Sequence, residues 1–249
     1  MCARGRGITP DRMATEFDHN QFDLAYPPGI EHHYWQLARH RIILDELKRL
    51  GPTPKVLEVG CGCGLVVKYL RDRGVECRGA ELSQAPVVDG AGDFVTVGIP
   101  AQELPEAERL GFDTLMLLDV IEHLPDPAGF IGDLLGAFPN VRNLLLTVPA
   151  RQELWSNYDE FYGHLARYDL GMIDALSREL GWRVGVNRYF FRLLYPPARM
   201  IKSRSVQITA PGACSRWLHR LIAGLAVAEY HLLPGGLPGT SIISRLSRP

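Results

Sequence analysis

Three glycines and two acids carry the strongest chemical signal in this chain. Glu58-x-Gly60-x-Gly62-x-Gly64 follows a short apolar run, Lys55–Val59, and leads into a helical pattern at Leu65, Val66, Val67, Tyr69 and Leu70. A nucleotide-like ligand lying across such a turn needs backbone with no Cβ in the way, which glycine supplies. The dinucleotide fingerprint G-x-G-x-x-G aims a helix N-terminus at pyrophosphate. Here the glycines alternate instead, and an acid stands two residues before the first. A carboxylate in that place suits a cationic amino-acid ligand better than a pyrophosphate; the alternative is a tight strand–helix turn with no ligand. Glu81 ends the next strand, seventeen residues beyond Gly64. A carboxylate there can accept hydrogen bonds from both hydroxyls of a ribose, where a lone glutamate would otherwise be solvated surface.

Two histidines offer a general base for an acceptor that must lose a proton. His123 follows the apolar run Phe112–Leu118, and the C-terminal ends of strands in open α/β sheets face the ligand crevice. Its bland reading is a helix-capping or packing histidine. His164 lies in the charged and aromatic stretch Asp159–Tyr168, with Arg167 and Tyr168 beside it. Such a loop can close over a site and carry an acceptor-binding group, or serve as a structural lid only. Near the N-terminus Tyr26, His32, His33, Tyr34 and Trp35 form a further cluster, for which simple core packing is an equal reading.

The elements that must position these residues alternate along the chain. Apolar residues recur at helical spacing from Trp35 to Leu50, and Gly51-Pro52 stops that helix. Strands are expected at 55–59, 75–81, 94–97, 112–118, 141–148 and 182–190. Helices are expected after Gly64, over 127–138 and over 169–180, the last with Asp169 as N-cap and Gly181 as C-cap. Apolar strands separated by helices describe a mostly parallel sheet covered on both faces. After Phe190 the rhythm breaks into Pro196-Pro197, a basic stretch, a helix over 215–233, a Gly/Pro-rich exit and a last strand over 240–246. Residues 1–50 are read as a tail and cap helix, 51–190 as a Rossmann-like core, and 191–249 as a basic helical insertion with a final strand. The first twenty residues lack periodicity and are expected to be disordered.

These features resemble the class I S-adenosylmethionine-dependent methyltransferase superfamily. Val56–Gly64 looks like its first motif, Glu81 like its second-strand acid, and Gly111-Phe112-Asp113-Thr114-Leu115-Met116-Leu117-Leu118-Asp119-Val120-Ile121-Glu122-His123-Leu124 like its fourth-strand motif. The resemblance covers residues 50 to 190. It implies a seven-stranded α/β sheet whose last strand is antiparallel, with S-adenosyl-L-methionine as cofactor and S-adenosyl-L-homocysteine as product. It also implies that Gly60 and Gly62 face the methionine part, Glu81 the ribose, Leu82 the adenine and the Asp119 region the methionine amino group. Arg39 stands where related quinone-type methyltransferases place an arginine on the cofactor carboxylate. The chain departs from the pattern at Pro100, ahead of Leu104-Pro105, where many members have an aspartate for the adenine amine. Backbone near Gly98–Ala101 or the side chain of Gln102 must then substitute. The Asp159–Tyr168 stretch resembles a segment in a subgroup of bacterial methyltransferases of cell-surface polysaccharide and small-molecule pathways.

Methyl transfer is an in-line displacement on a sulfonium, so alignment, exclusion of water and a deprotonated acceptor are what a protein must supply. The acceptor is read as a small molecule, with O-methylation of a sugar, lipid-linked or secondary-metabolite group. The alternatives are a non-catalytic cofactor-binding regulator or scaffold and an NAD-dependent oxidoreductase.

Composition narrows the partners. The net charge is −1 over 249 residues, which points to no polyanionic partner. From Arg183 onward there are ten Lys or Arg against one acid, Glu229, a local balance of +9 that leaves −10 on residues 1–182. Nucleic acid is not expected: no Asn/Asp-Pro-Pro-Tyr motif is present, and the basic residues are not interleaved with a stacking platform. Five scattered cysteines (Cys2, Cys61, Cys63, Cys77, Cys214) form no disulfide framework. Cys61 and Cys63 sit in a glycine loop that requires small residues, so no metal is expected there. A cytoplasmic location follows from the polar first twenty-one residues and the cysteines. In the helix over 215–233, Trp217, Leu218, Leu221, Ile222, Leu225 and Ala228 share a face. That face can touch the inner side of a membrane, or, as most such helices do, pack on its own domain.

Overall fold

In a computed structural model, residues 19–51, 53–201 and 215–249 are described. The expected disorder of residues 1–18, the Pro52 stop, Cys2, Cys214 and the basic pair Lys202 and Arg204 lie outside those residues.

Seven strands form one sheet: β1 (Lys55–Val59), β2 (Glu76–Glu81), β3 (Val95–Val97), β4 (Thr114–Leu118), β5 (Asn143–Pro149), β6 (Arg183–Phe190) and β7 (Ser241–Ser247). The order is β3-β2-β1-β4-β5-β7-β6. Strands β1 to β5 pair parallel, while β7 runs antiparallel to both β5 and β6. The sheet expected from the alternation is therefore present, and its antiparallel strand comes from the C-terminal segment. Observed ends differ from the expected ones by a residue or two, as usual for hydrogen-bond assignment.

The central strands read as continuous apolar runs because both faces are covered. In β4, Leu115 and Leu117 join a core with Leu144, Leu146, Ile131 and Ile173. The alternate residues Met116 and Leu118 join a second core with Ile42, Ile43, Val67 and Leu145. Helices α5 (Pro127–Ala137) and α7 (Leu170–Glu179) cover the first face. Helices α2 (Tyr34–Lys48), α3 (Leu65–Arg71) and α9 (Arg216–Leu232) cover the second. Asp169 caps α7 by accepting from Met172 N at 2.9 Å, and Gly181 follows with a left-handed φ of 67°. Short helices α1 (His19–Ala25), α4 (Glu106–Arg109), α6 (Asn157–Phe161) and α8 (Tyr195–Met200) have no sequence expectation behind them. They are too short for a hydrophobic period to register.

One expectation is overturned. The apolar face of α9 is turned mostly outward: Trp217 is 67% exposed and Leu221 and Leu225 are each 52% exposed, while Leu218 and Ile222 are half-buried. The helix buries His219, Ala223, Ala226, Glu229 and Tyr230 instead. Polar anchors set that rotation. The Glu229 carboxylate accepts from the backbone N–H of Arg192 at 2.6 Å and of Leu193 at 2.7 Å, and Tyr230 donates to Glu46 at 2.8 Å. Buried hydrogen bonds of this kind cost too much to leave unmade for the helix to roll its leucines inward.

Candidate active site

Strand order reverses between β1 and β4, and the crevice at their carboxyl ends is the ligand position of open α/β sheets. Gly60 and Gly62 line it with φ of 73° and 54°, values that L residues rarely adopt. Space is equally restrictive. A Cβ on Gly60 would stand 2.9 Å from a Val120 methyl, and one on Gly62 2.5 Å from the Tyr26 hydroxyl. Gly64 serves the turn rather than the crevice, since its Cβ would meet Val95 at 2.7 Å, beneath the start of α3.

Glu81 reaches the same loop. Its carboxylate accepts from Gly62 N at 2.8 Å and, on the other oxygen, from Ser83 N at 3.0 Å and Ser83 Oγ at 2.8 Å. Leu82, next along the chain, is half-exposed. Gly98 returns its N–H to the Glu81 carbonyl at 2.8 Å, and Pro100 leads into a short 3-10 turn over Ala101–Glu103 that keeps Gln102 at the surface edge.

Arg39, from α2, donates to Asp119 Oδ2 at 2.7 Å and to Thr147 Oγ1 at 3.2 Å, while its buried Nε has no partner among the described residues. Asp119 itself holds a φ of 58° at the end of β4. A non-glycine residue in that region is uncommon, and it marks sites whose geometry the surroundings enforce. Glu58 is buried, with Oε2 unpartnered among the described residues. Burial pushes its carboxyl up to about 8, with Glu81 and Asp119 adding to the rise and Arg39 opposing it. Three acids thus converge on the glycine loop, against a single guanidinium among the described residues. Tyr26 closes the top, its buried hydroxyl close to Arg39, Glu58 and Glu81 in the field it feels.

A second constellation sits beside the first. His123 ends a 3-10 turn, Ile121–His123, just beyond β4. Its ring meets that of His164 edge-on, with centroids 4.9 Å apart. Burial lowers the His123 pKa to about 4, with His164 adding to the fall and hydrogen bonds to backbone at Gly163 and Tyr162 opposing it; the ring is neutral at pH 7. His164 Nδ1 lies 2.8 Å from Asp159 Oδ1, and Arg167 Nε donates to the same oxygen at 2.8 Å. Burial would raise the Asp159 carboxyl, but the bonds from His164 and Arg167 outweigh it and hold the group below its ordinary value. In a neutral ring, an ionised Asp159 places the proton on Nδ1 and the lone pair on Nε2. The Ser156–Asp159 capping box and a backbone bond from Leu165 N to Glu122 O, 2.7 Å, hold the loop against the end of β4.

The expected site residues therefore fall into two adjoining groups. Glu58, Gly60, Gly62, Glu81, Asp119 and Arg39 surround the loop, and His123 and His164 stand together. Three residues escape sequence reading as site members. Tyr26 belongs to the aromatic cluster, but its place over Gly62 depends on how the N-terminal segment returns. Glu122 reads as a turn residue. Asp159 is the N3 acid of a short helix, and its spacing from His164 fits no helix or strand period.

Comparison with known proteins adds to this geometry. A family model described as a methyltransferase domain matches residues 32–185. The ubiquinone biosynthesis O-methyltransferase of Hahella chejuensis (strain KCTC 2396) is 35% identical over 95 residues, which are 35% of this chain and 40% of that protein. The protein of the same name from Pseudomonas entomophila (strain L48) is 33% identical over 88 residues, 31% of this chain and 36% of that one. The chain thus matches well under half the length of these relatives. Magnesium protoporphyrin IX methyltransferase from Synechocystis PCC 6803, solved with bound SAH, superposes with a TM-score of 0.52 at 15% identity, covering 94% of this chain and 89% of that one. That likeness is one of fold.

Proposed function

This chain belongs to the methyltransferase-domain family matched over residues 32–185, and from that premise we propose that it transfers a methyl group from S-adenosylmethionine to a hydroxyl of a small acceptor. The carrying observation is the glycine loop ringed by Glu58, Glu81 and Asp119, with Arg39 the one guanidinium among the described residues to offset them. The buried Glu58 oxygen without a partner among the described residues, and the acids beside it, suit a cationic nucleoside better than a pyrophosphate. When bound, the cofactor supplies an electrophilic methyl on sulfonium. Gly60 and Gly62 let it lie against backbone, Glu81 takes the ribose hydroxyls, and Leu82 covers the base. The free Arg39 Nε faces the carboxylate, and Asp119 the amino group. Tyr26 and the Asp159–Tyr168 loop exclude water from the transfer path.

The acceptor hydroxyl loses its proton beside the His123–His164 pair, where the free Nε2 of His164 is held in aim by Asp159. Oxygen then takes the methyl as the carbon–sulfur bond breaks and its electron pair returns to sulfur. The curated relatives are named as O-methyltransferases, which supports an oxygen acceptor over nitrogen or carbon.

Calorimetry with S-adenosylmethionine and, separately, NAD tests the cofactor. The first binds and the second does not; the reverse would return the chain to the oxidoreductases. Glu81→Ala is expected to weaken S-adenosylmethionine about tenfold or more, the loss of charge-assisted hydrogen bonds at roughly 1.5–3 kcal/mol. Unchanged affinity would remove Glu81 from the ribose. Labelled methyl appearing in a metabolite from cell extract separates an enzyme from a cofactor-binding scaffold.

The exposed stripe Trp217, Leu221, Leu225 and Leu232, beside Arg216 and Arg220, supports an acceptor carried at a membrane surface. No described helix is long and apolar enough to cross a membrane. The full-length protein is expected to sediment with anionic phospholipid vesicles, less so in high salt or as Leu221→Glu/Leu225→Glu. Equal sedimentation of that double variant would assign the stripe another role.

A further inference from the structure

Glu122 is the most unusual side chain outside the glycine loop. It is 1% exposed, and among the described residues its carboxyl oxygens meet no donor beyond its own backbone N–H. Buried carboxylates left this way cost several kcal/mol unless something cationic or hydrogen-bonding meets them. Arg39 and Arg167, the guanidinium groups on the flanking elements, are taken by Asp119 and Asp159 respectively. What Glu122 does face is a pair of imidazoles: one ligand atom each from Glu122, His123 and His164 lies within 4.8 Å of the others.

We propose that Glu122, His123 and His164 form a binding site for a divalent first-row transition cation of the zinc class, with an open position for the acceptor oxygen. Two imidazole nitrogens and one carboxylate oxygen are the donor set of open catalytic zinc sites, whereas magnesium and calcium prefer all-oxygen shells. Ligands about 2.0–2.2 Å from such a cation lie roughly 3–3.5 Å apart, so modest side-chain rotations close the set. The chain also carries the outer support that such sites need. Asp159 accepts from His164 Nδ1 at 2.8 Å, which fixes the ring and turns Nε2 toward the cluster, a carboxylate–histidine–metal arrangement. The cluster begins three residues beyond Asp119, so the cation would stand next to the crevice that holds the methyl donor.

The inference rests on the methyl-transfer reading for its purpose. A hydroxyl bound at the open position becomes more acidic, as metal-bound water does. In that state its proton passes to solvent water, His164 serves as ligand through the same lone pair, and the oxygen attacks the methyl carbon as before. An acceptor with a phenolic or otherwise acidic hydroxyl fits best. The sequence expectation of no metal weighed Cys61 and Cys63 alone; the three present ligands come from two loops that only the fold brings together.

The test needs neither acceptor nor methyl donor. Cobalt(II), titrated into the untagged full-length protein, is expected to bind one per chain with visible d–d absorption, and zinc to displace it. Glu122→Gln, which keeps volume and fold, and His164→Ala should each weaken cobalt at least tenfold. Asp159→Asn, which disturbs the outer support together with the capping box and the Arg167 bond, should weaken it about 10–100-fold. No stoichiometric cobalt, a thiolate charge-transfer band placing it on cysteine, or unchanged affinity in Glu122→Gln would overturn the site. S-adenosylmethionine affinity measured on the same samples reports on the methyltransferase reading separately, so either can fail while the other stands.

Discussion

His164→Ala is expected to lower methyl transfer by about 10²–10⁴-fold while S-adenosylmethionine binds within about twofold of the parent. The split follows from geometry. His164 belongs to the second constellation, with Asp159, Arg167 and His123 around it, while the glycine loop keeps Glu58, Glu81, Asp119 and Arg39 intact. Removing the imidazole takes away the Nε2 lone pair, which either accepts the acceptor proton or holds the cation that makes the hydroxyl acidic. His123 cannot take over, since burial beside His164 holds its pKa at about 4 and makes it a poor base. Asp159→Asn is a graded companion: the ring stays, but its tautomer and aim are no longer fixed, and a smaller loss in turnover is expected. Single-turnover transfer of labelled methyl to an extract-derived acceptor measures both, with thermal melting to confirm the fold. Parent-like turnover in His164→Ala would take the base away from this loop, and an equal loss in cofactor affinity would recast the residue as part of the cofactor lid.

What sequence could and could not show is set by the range of the interactions. The glycine loop, Glu58 and Glu81 are legible because strand, turn and helix follow one another, and local chain geometry places the residues. The strand alternation in Leu115–Leu118 likewise announces a sheet buried on both sides. The His123–His164 meeting joins segments forty-one residues apart in sequence, and each histidine alone has an ordinary packing explanation. Glu122 looks like any turn glutamate until the fold buries it beside two imidazoles. Tyr26 over Gly62 depends on a return of the N-terminal segment that no period encodes. The face of α9 misleads for a related reason. Hydrophobic spacing predicts which residues share a side, but Glu229, bonded to the backbone of Arg192 and Leu193, decides which side turns inward. A buried polar anchor outranks an apolar stripe when both compete for one helix rotation.

Glu58 supplies the second large effect, and its sign is opposite for stability and for binding. The ligand-free fold holds this carboxyl at about 8 against an ordinary 4.5, so between those values the folded chain binds more protons than the unfolded one. Stability from this group is fully present below pH 4.5 and falls as pH rises toward 8. At pH 7 the penalty is about 3 kcal/mol, from 1.36 kcal/mol per pH unit. Glu58→Gln removes the titration, and its melting temperature is expected to exceed the parent's at pH 7, with the two converging near pH 4.5. Cofactor binding runs the other way. A sulfonium nucleoside brings positive charge to the crevice and draws Glu58 back to its ionised form, so complex formation at pH 7 should release close to one proton. Affinity should therefore rise with pH up to about 8, and Glu58→Gln should abolish both that slope and the release. Calorimetry in two buffers of different ionisation enthalpy reads the proton count directly. If the parent releases none, or Glu58→Gln melts no higher than the parent at pH 7, the acid at the end of β1 is not held uncharged for a cation, and the electrostatic case for the cofactor loses its centre.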